Sequence, residues 1–85
     1  MDNYFAERKV FNACGLSIIV YGEKIIEALN CLPEKTRNII LLSYFLNLSD
    51  SEVGKMVDMG RSNVQYHRIQ ALKTLRKFLE GTEYD

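Results

Sequence analysis

The stretch SDSEVGKMVDMGRSNVQYHR, residues 49–68, holds two helical patterns separated by a few turn-forming residues. Ser49 reads as an N-cap. Glu52, three positions on, completes a capping box, in which each residue's side chain satisfies the other's backbone N–H. The helix so opened is brief: Val53, Met56 and Val57 form its apolar stripe, and Asp58-Met59-Gly60 ends it. A longer helix is predicted from Gly60 or Arg61 to about Glu80. Val64, Ala71, Leu72, Leu75, Phe78 and Leu79 recur there at spacings of three and four. Gly81 is a natural stop, and the acidic tail 81–85 is expected to fray.

A short capped helix, a tight glycine-containing turn and a long helix with polar first turns make a helix–turn–helix. In such units the second helix enters the major groove, and its N-terminal residues meet base edges. Removing the apolar stripe leaves Arg61, Ser62, Asn63, Gln65, Tyr66, Ile69 and Gln70 facing outward. The chemistry of that set fits the task. Arg forks onto a guanine edge, Gln and Asn pair with adenine, and Tyr or Ile touches a thymine methyl. Lys73, Arg76 and Lys77 lie further along, where they would hold phosphates and fix the register. Arg68 belongs to the same basic run and is counted with the DNA-binding set. The competing reading is a plain corner in a helical core, with Tyr66 and Ile69 in a protein interface.

Formal net charge is zero, which argues against nucleic acid, but the charge is unevenly spread. Arg61, Arg68, Lys73, Arg76 and Lys77 fall between Met59 and Leu79 with no acid among them. Residues 1–58 hold six basic and eight acidic residues. A solvated helix face would explain the basic run as well as a phosphate-binding one.

Upstream, EKIIEALNC (23–31) places Ile25, Ile26 and Leu29 at helical spacing. Leu32-Pro33 then breaks the chain, and proline suits the first position of a new helix. That helix is predicted to run to Leu46. It is apolar almost all round toward its end, so it is expected to be the most buried. Residues 8–21, RKVFNACGLSIIVY, hold two β-favouring runs around Cys14-Gly15 and read as a short β-hairpin. A lone hairpin is marginal in water, so it must pack on the helices or pair with a second copy to form a homodimer. The fold class is therefore mostly α: a four-helix domain at 23–80 with a C-terminal helix–turn–helix, preceded by an N-terminal segment, 1–22, carrying the hairpin.

The 85-residue chain is one domain at most, and its 47% hydrophobic and 26% charged residues are ordinary for a soluble protein. Cys14 and Cys31 lie in no metal-binding spacing and read as reduced residues of a cytoplasmic protein. No cofactor is implied. No apolar run approaches the ~20 residues that span a bilayer, and the N-terminus is no signal peptide. The single histidine, His67, has no nucleophile at a recognised spacing, so no catalytic set is present and the chain is not read as an enzyme.

The run from Glu27 to Glu80 resembles region 4 of the sigma-70 family of bacterial transcription initiation factors. The cues are Leu32-Pro33 with Lys35 and Arg37, Leu42 to Phe45, SDSEVG at Ser49 to Gly54, and the closing Ala71-Leu72-Lys73-x-Leu75-Arg76. It is most similar to the short sigma-like regulators carried by conjugative elements of Gram-positive bacteria. The resemblance implies two helix pairs, the second reading the minus-35 promoter element. It implies a concave side that receives the flap-tip helix of the RNA polymerase β subunit. By the same resemblance, base-reading positions fall on Arg61, Ser62, Gln65 and Tyr66. Phosphate-facing positions fall on Lys73 and Arg76, with Ser49 and Glu52 at the start of the supporting helix. Gly60 stands where the family often has Ser or Thr. Region 2, which melts DNA, is absent from these 85 residues. The chain would then work with a separate region 2-type subunit, be a piece of a longer factor, or act as an independent regulator. The alternative of another class is a protein-interaction module with sigma-like helices and no DNA role.

Overall fold

Cys14 and Gly15 both take positive φ, 51° and 83°, the backbone of a two-residue turn whose twist matches paired strands. In the computed structural model, which describes residues 7–80, this turn joins β1 (Arg8–Ala13) to β2 (Leu16–Tyr21). The strands are antiparallel, with Phe11 opposite Ile18 and Val10 opposite Ile19. Strand alternation then sorts the side chains: Phe11, Ala13, Ile18 and Val20 are buried, while Val10, Ile19 and Tyr21 face solvent. Burying Phe11, Ile18 and Val20 stabilises the hairpin's docking by roughly 1.5–3 kcal/mol each. Lys9 adds a tether, donating to Asn30 Oδ1 at 3.0 Å while its ammonium lies 4.9 Å from the Phe11 ring centre. The expected frayed tail at 81–85 lies outside the described residues.

Helix α1 (Glu23–Asn30) follows directly and buries Ala28 and Leu29. Pro33 stands at the N-cap with extended ψ of 152°, one residue before α2 (Glu34–Ile40) begins. Arg37 reaches back to donate to the Leu32 carbonyl at 3.2 Å, securing the break between the helices.

The single helix expected to Leu46 is two segments. After Ile40 the backbone widens into a π-helical turn, Leu41–Phe45, closed by Leu46 N–H donating to the Leu41 carbonyl at 3.3 Å. Leu41 and Leu42 are fully buried, as the apolar pattern suggested. The last residues depart from it: Tyr44, Phe45 and Leu46 are all exposed. Helices that pack from several sides cover the segment up to Leu42, and the turn then carries the chain out of the core.

Helix α3 (Asp50–Val57) opens with the full capping box: Glu52 N–H donates to Ser49 Oγ at 3.1 Å, and Ser49 N–H donates to Glu52 Oε1 at 2.8 Å. It ends at Asp58, which adopts left-handed backbone with φ of 60°. Helix α4 (Arg61–Leu79) then runs the length of the domain, burying Val64, Ala71 and Leu75. The core so assembled comprises Leu29, Ile39 to Leu42, Val53, Val64, Ala71 and Leu75, with the hairpin's inner face continuous with it.

Candidate nucleic-acid interface

The turn between α3 and α4 decides how the long helix is presented. Met59 N–H donates to the Gly54 carbonyl at 2.9 Å, folding the connection back over α3. Gly54 is buried, and a Cβ there would strike the Met59 carbonyl oxygen, so only glycine lets the turn close this tightly. Gly60 caps α4 with extended backbone and no side-chain hydrogen bond. The first N–H groups of α4 are thus left without a side-chain acceptor at the end where the helix dipole favours anions.

On α4 the helical period separates the residues cleanly. Arg61, Ser62, Asn63, Gln65, Tyr66, Ile69 and Gln70 are exposed, and Val64 between them is fully buried. Tyr66 is 60% exposed and stands edge-on to the His67 ring, the centroids 5.5 Å apart. Its ring therefore projects beside Gln65 and Ile69 rather than under another helix. Lys73, Arg76 and Lys77 are exposed further along. His67 is half-buried at the margin of the packed face.

Ser49 is exposed at the start of α3, its Oγ accepting from Glu52. The Ser49 N–H, and secondarily its hydroxyl, hold the Glu52 carboxyl below its ordinary value, because both stabilise the carboxylate form.

Arg68 is placed differently from its neighbours in the basic run. Its Nε and one terminal nitrogen donate to the two carboxylate oxygens of Asp50, each at 2.9 Å, and its other terminal nitrogen donates to the Tyr44 hydroxyl at 3.3 Å. Those bonds raise its pKa further above an already high value, so the guanidinium stays charged. Sequence spacing holds no sign of this pairing, because Asp50 and Arg68 lie on different helices. Lys55, which the sequence reading does not single out, is exposed on α3 and shares with Arg61 a shallow groove beside the interhelical turn.

A second surface lies at the other end of α4. Ile25, Ile40, Phe45, Leu72, Leu75 and Leu79 line a largely apolar groove of about 470 Å³, with Tyr44 forming one wall and Arg76 and Glu80 the charged part of the lining. The unburied end of the π-helical turn supplies that wall. Among the described residues no cluster of His, Cys, Asp or Glu could hold a metal ion, and no helix is long and apolar enough to cross a membrane.

Comparison with known proteins agrees with this geometry. The family model described as sigma-70, region 4 matches residues 22–75. The RNA polymerase sigma factor FliA of Yersinia enterocolitica is 35% identical over 59 residues, covering 69% of this chain and 26% of that protein. FliA of Escherichia coli K12 is 33% identical over 54 residues, covering 64% of this chain and 23% of its own. The chain thus spans about a quarter of the length of these curated relatives. No solved structure gives a significant match. With a family match over most of the chain and a helix–turn–helix at residues 50–79, the chain belongs to the sigma-70 region 4 family.

Proposed function

We propose that the chain is a non-enzymatic, sequence-specific DNA-binding transcription regulator that reads a minus-35-like promoter element and engages RNA polymerase. The observation that carries this reading is the first half of α4. Arg61, Ser62, Asn63, Gln65, Tyr66 and Ile69 are exposed together on a helix whose opposite side is core. Arg61 and Gln65 are the base-edge readers, Tyr66 and Ile69 the methyl contacts, and Ser49, Lys73 and Arg76 the phosphate contacts. The apolar groove ending at Leu79 is the receptor for an apolar helix of the polymerase β-flap. In this reading promoter melting is assigned to a separate region 2-type subunit. The hairpin joined to a region 4 unit at about residue 22 fits the short regulators of Gram-positive conjugative elements, and the site of action is cytoplasmic.

The test is selection of bound DNA from a random pool, with and without polymerase. Recovery of a preferred sequence supports the reading. Affinity should fall about fortyfold for a fourfold rise in salt if Lys73, Arg76 and Lys77 each neutralise a phosphate. Absence of both sequence preference and salt dependence leaves the second reading, a protein-interaction module without a DNA role. That reading is favoured by the apolar groove. Retention of in-cell function by an Arg61→Glu, Lys73→Glu double variant would establish it.

Pairing of two copies through the hairpin is supported by a strand, β2, with no charged residue, and by exposed Val10, Ile19 and Tyr21. Sedimentation showing only monomer at high concentration would remove it.

A further inference from the structure

The bonds of Arg68 draw together three segments distant in sequence: the π-helical turn through Tyr44, the first residue of α3 through Asp50, and the middle of α4. Asp50 and Arg68 are only 21% and 24% exposed, so the pair is partly shielded from water and fixed in a two-pronged geometry. Arg68 lies one turn or less from Gln65, Tyr66 and Ile69, so any tilt of α4 at Arg68 is felt directly by that outward face. The buried anchors of this half of α4, Val64 and Ala71, are apolar, and apolar packing is not directional.

We infer that Arg68 is a positioning residue, clasped by Asp50 and Tyr44, that sets the angle at which the outward face of α4 meets a duplex and does not itself touch DNA. This rests on the DNA-binding reading. The clasp makes a prediction of opposite sign to a direct phosphate contact. Replacing Asp50 by Asn removes an acid and releases a cation. If Arg68 were a DNA contact, that change would tighten binding. If Arg68 is a positioner, the change loosens the helix and weakens binding.

The experiment uses the full chain, a duplex selected from a random pool and a scrambled duplex of equal length, with anisotropy titrations at several salt concentrations. Folding of each variant is checked by circular dichroism. Asp50→Asn and Arg68→Met are each expected to lose about tenfold on the selected duplex, part of one base contact, and nothing on the scrambled one. Their salt slopes should match the wild type, because no phosphate contact is removed. Asp50→Glu, which keeps the carboxylate, should retain binding. Tyr44→Phe removes only a hydroxyl at the margin of the clasp, so it tests the same sign should the other variants unfold. Tighter or unchanged binding by Asp50→Asn overturns the inference. So does a salt slope lowered by about one in Arg68→Met, or, if those two unfold, unchanged discrimination by Tyr44→Phe. A wild-type chain that does not discriminate the two duplexes would instead defeat the DNA-binding reading itself.

Discussion

Gly54→Ala tests whether the close approach in the interhelical turn governs the helix–turn–helix. Inside a helix, alanine is ordinarily better than glycine by about 1 kcal/mol, so propensity alone predicts a gain. The structure predicts the reverse. The added Cβ would collide with the Met59 carbonyl oxygen, with the Met59 carbonyl carbon at 3.5 Å and Val64 Cγ2 at 3.6 Å behind it. The carbonyl cannot simply swing aside, because Met59 N–H is bonded to Gly54 at 2.9 Å and Asp58 already occupies left-handed backbone. Overpacking costs about 1–3 kcal/mol, and backbone obstruction belongs at the upper end. The net effect is a loss of about 2 kcal/mol, which lowers Tm by about 8–16 °C in a domain of this size. Urea denaturation followed by circular dichroism measures it, and binding to the selected duplex should fall in parallel as α4 shifts. Gly60→Ser is the companion variant: a Cβ there meets nothing within 4 Å, and the new hydroxyl caps α4 for a gain of a few tenths of a kcal/mol. A Gly54→Ala chain as stable as the wild type would refute the close-packing account.

Arg61→Ala and Gln65→Ala should each cost about 1–3 kcal/mol on the selected duplex and relax sequence preference at one position, read by competition titration. The Glu52 carboxyl is held below its ordinary value of 4.5, so its contribution to stability is fully present above that value and drains away as pH falls through the lower folded value. Glu52→Gln should therefore flatten the acid limb of a stability–pH curve and leave its slope near neutrality unchanged. Leu79→Asp, in the apolar groove, should abolish capture by polymerase and leave affinity for DNA alone within about twofold, since surface changes away from a contact act weakly. Ile19→Lys should leave stability intact and dissociate any dimer, seen by sedimentation.

What the sequence discloses here is local. The capping box needs only Ser49 and Glu52 three residues apart. The hairpin needs only two β-favouring runs and a pair of residues that tolerate positive φ. The face of α4 needs only the helical period. Each is set by neighbours within a turn or two, and each appears in the structure. The features that escaped are set by residues far apart in the chain. Arg68 looked like one more cation in a basic run because nothing within α4 reveals Asp50 or Tyr44. The π-helical turn escaped because Ile39 to Leu42 and Tyr44 to Leu46 are apolar on every side, so no period marks where the backbone widens. The same pattern predicts burial right up to Leu46, whereas Tyr44, Phe45 and Leu46 are exposed, and Tyr44 and Phe45 line the groove.

The Cys14 thiol at the hairpin tip reaches the Met56 carbonyl at 3.6 Å, a contact 42 residues along the chain. Bringing such distant points together costs about 3 kcal/mol in chain entropy before any contact rewards it. A bundle of helices alone would assemble rapidly through neighbours in sequence. Here the hairpin must also close onto the helices, so the arrival of Phe11 and Ile18 in the core should be a late step of refolding.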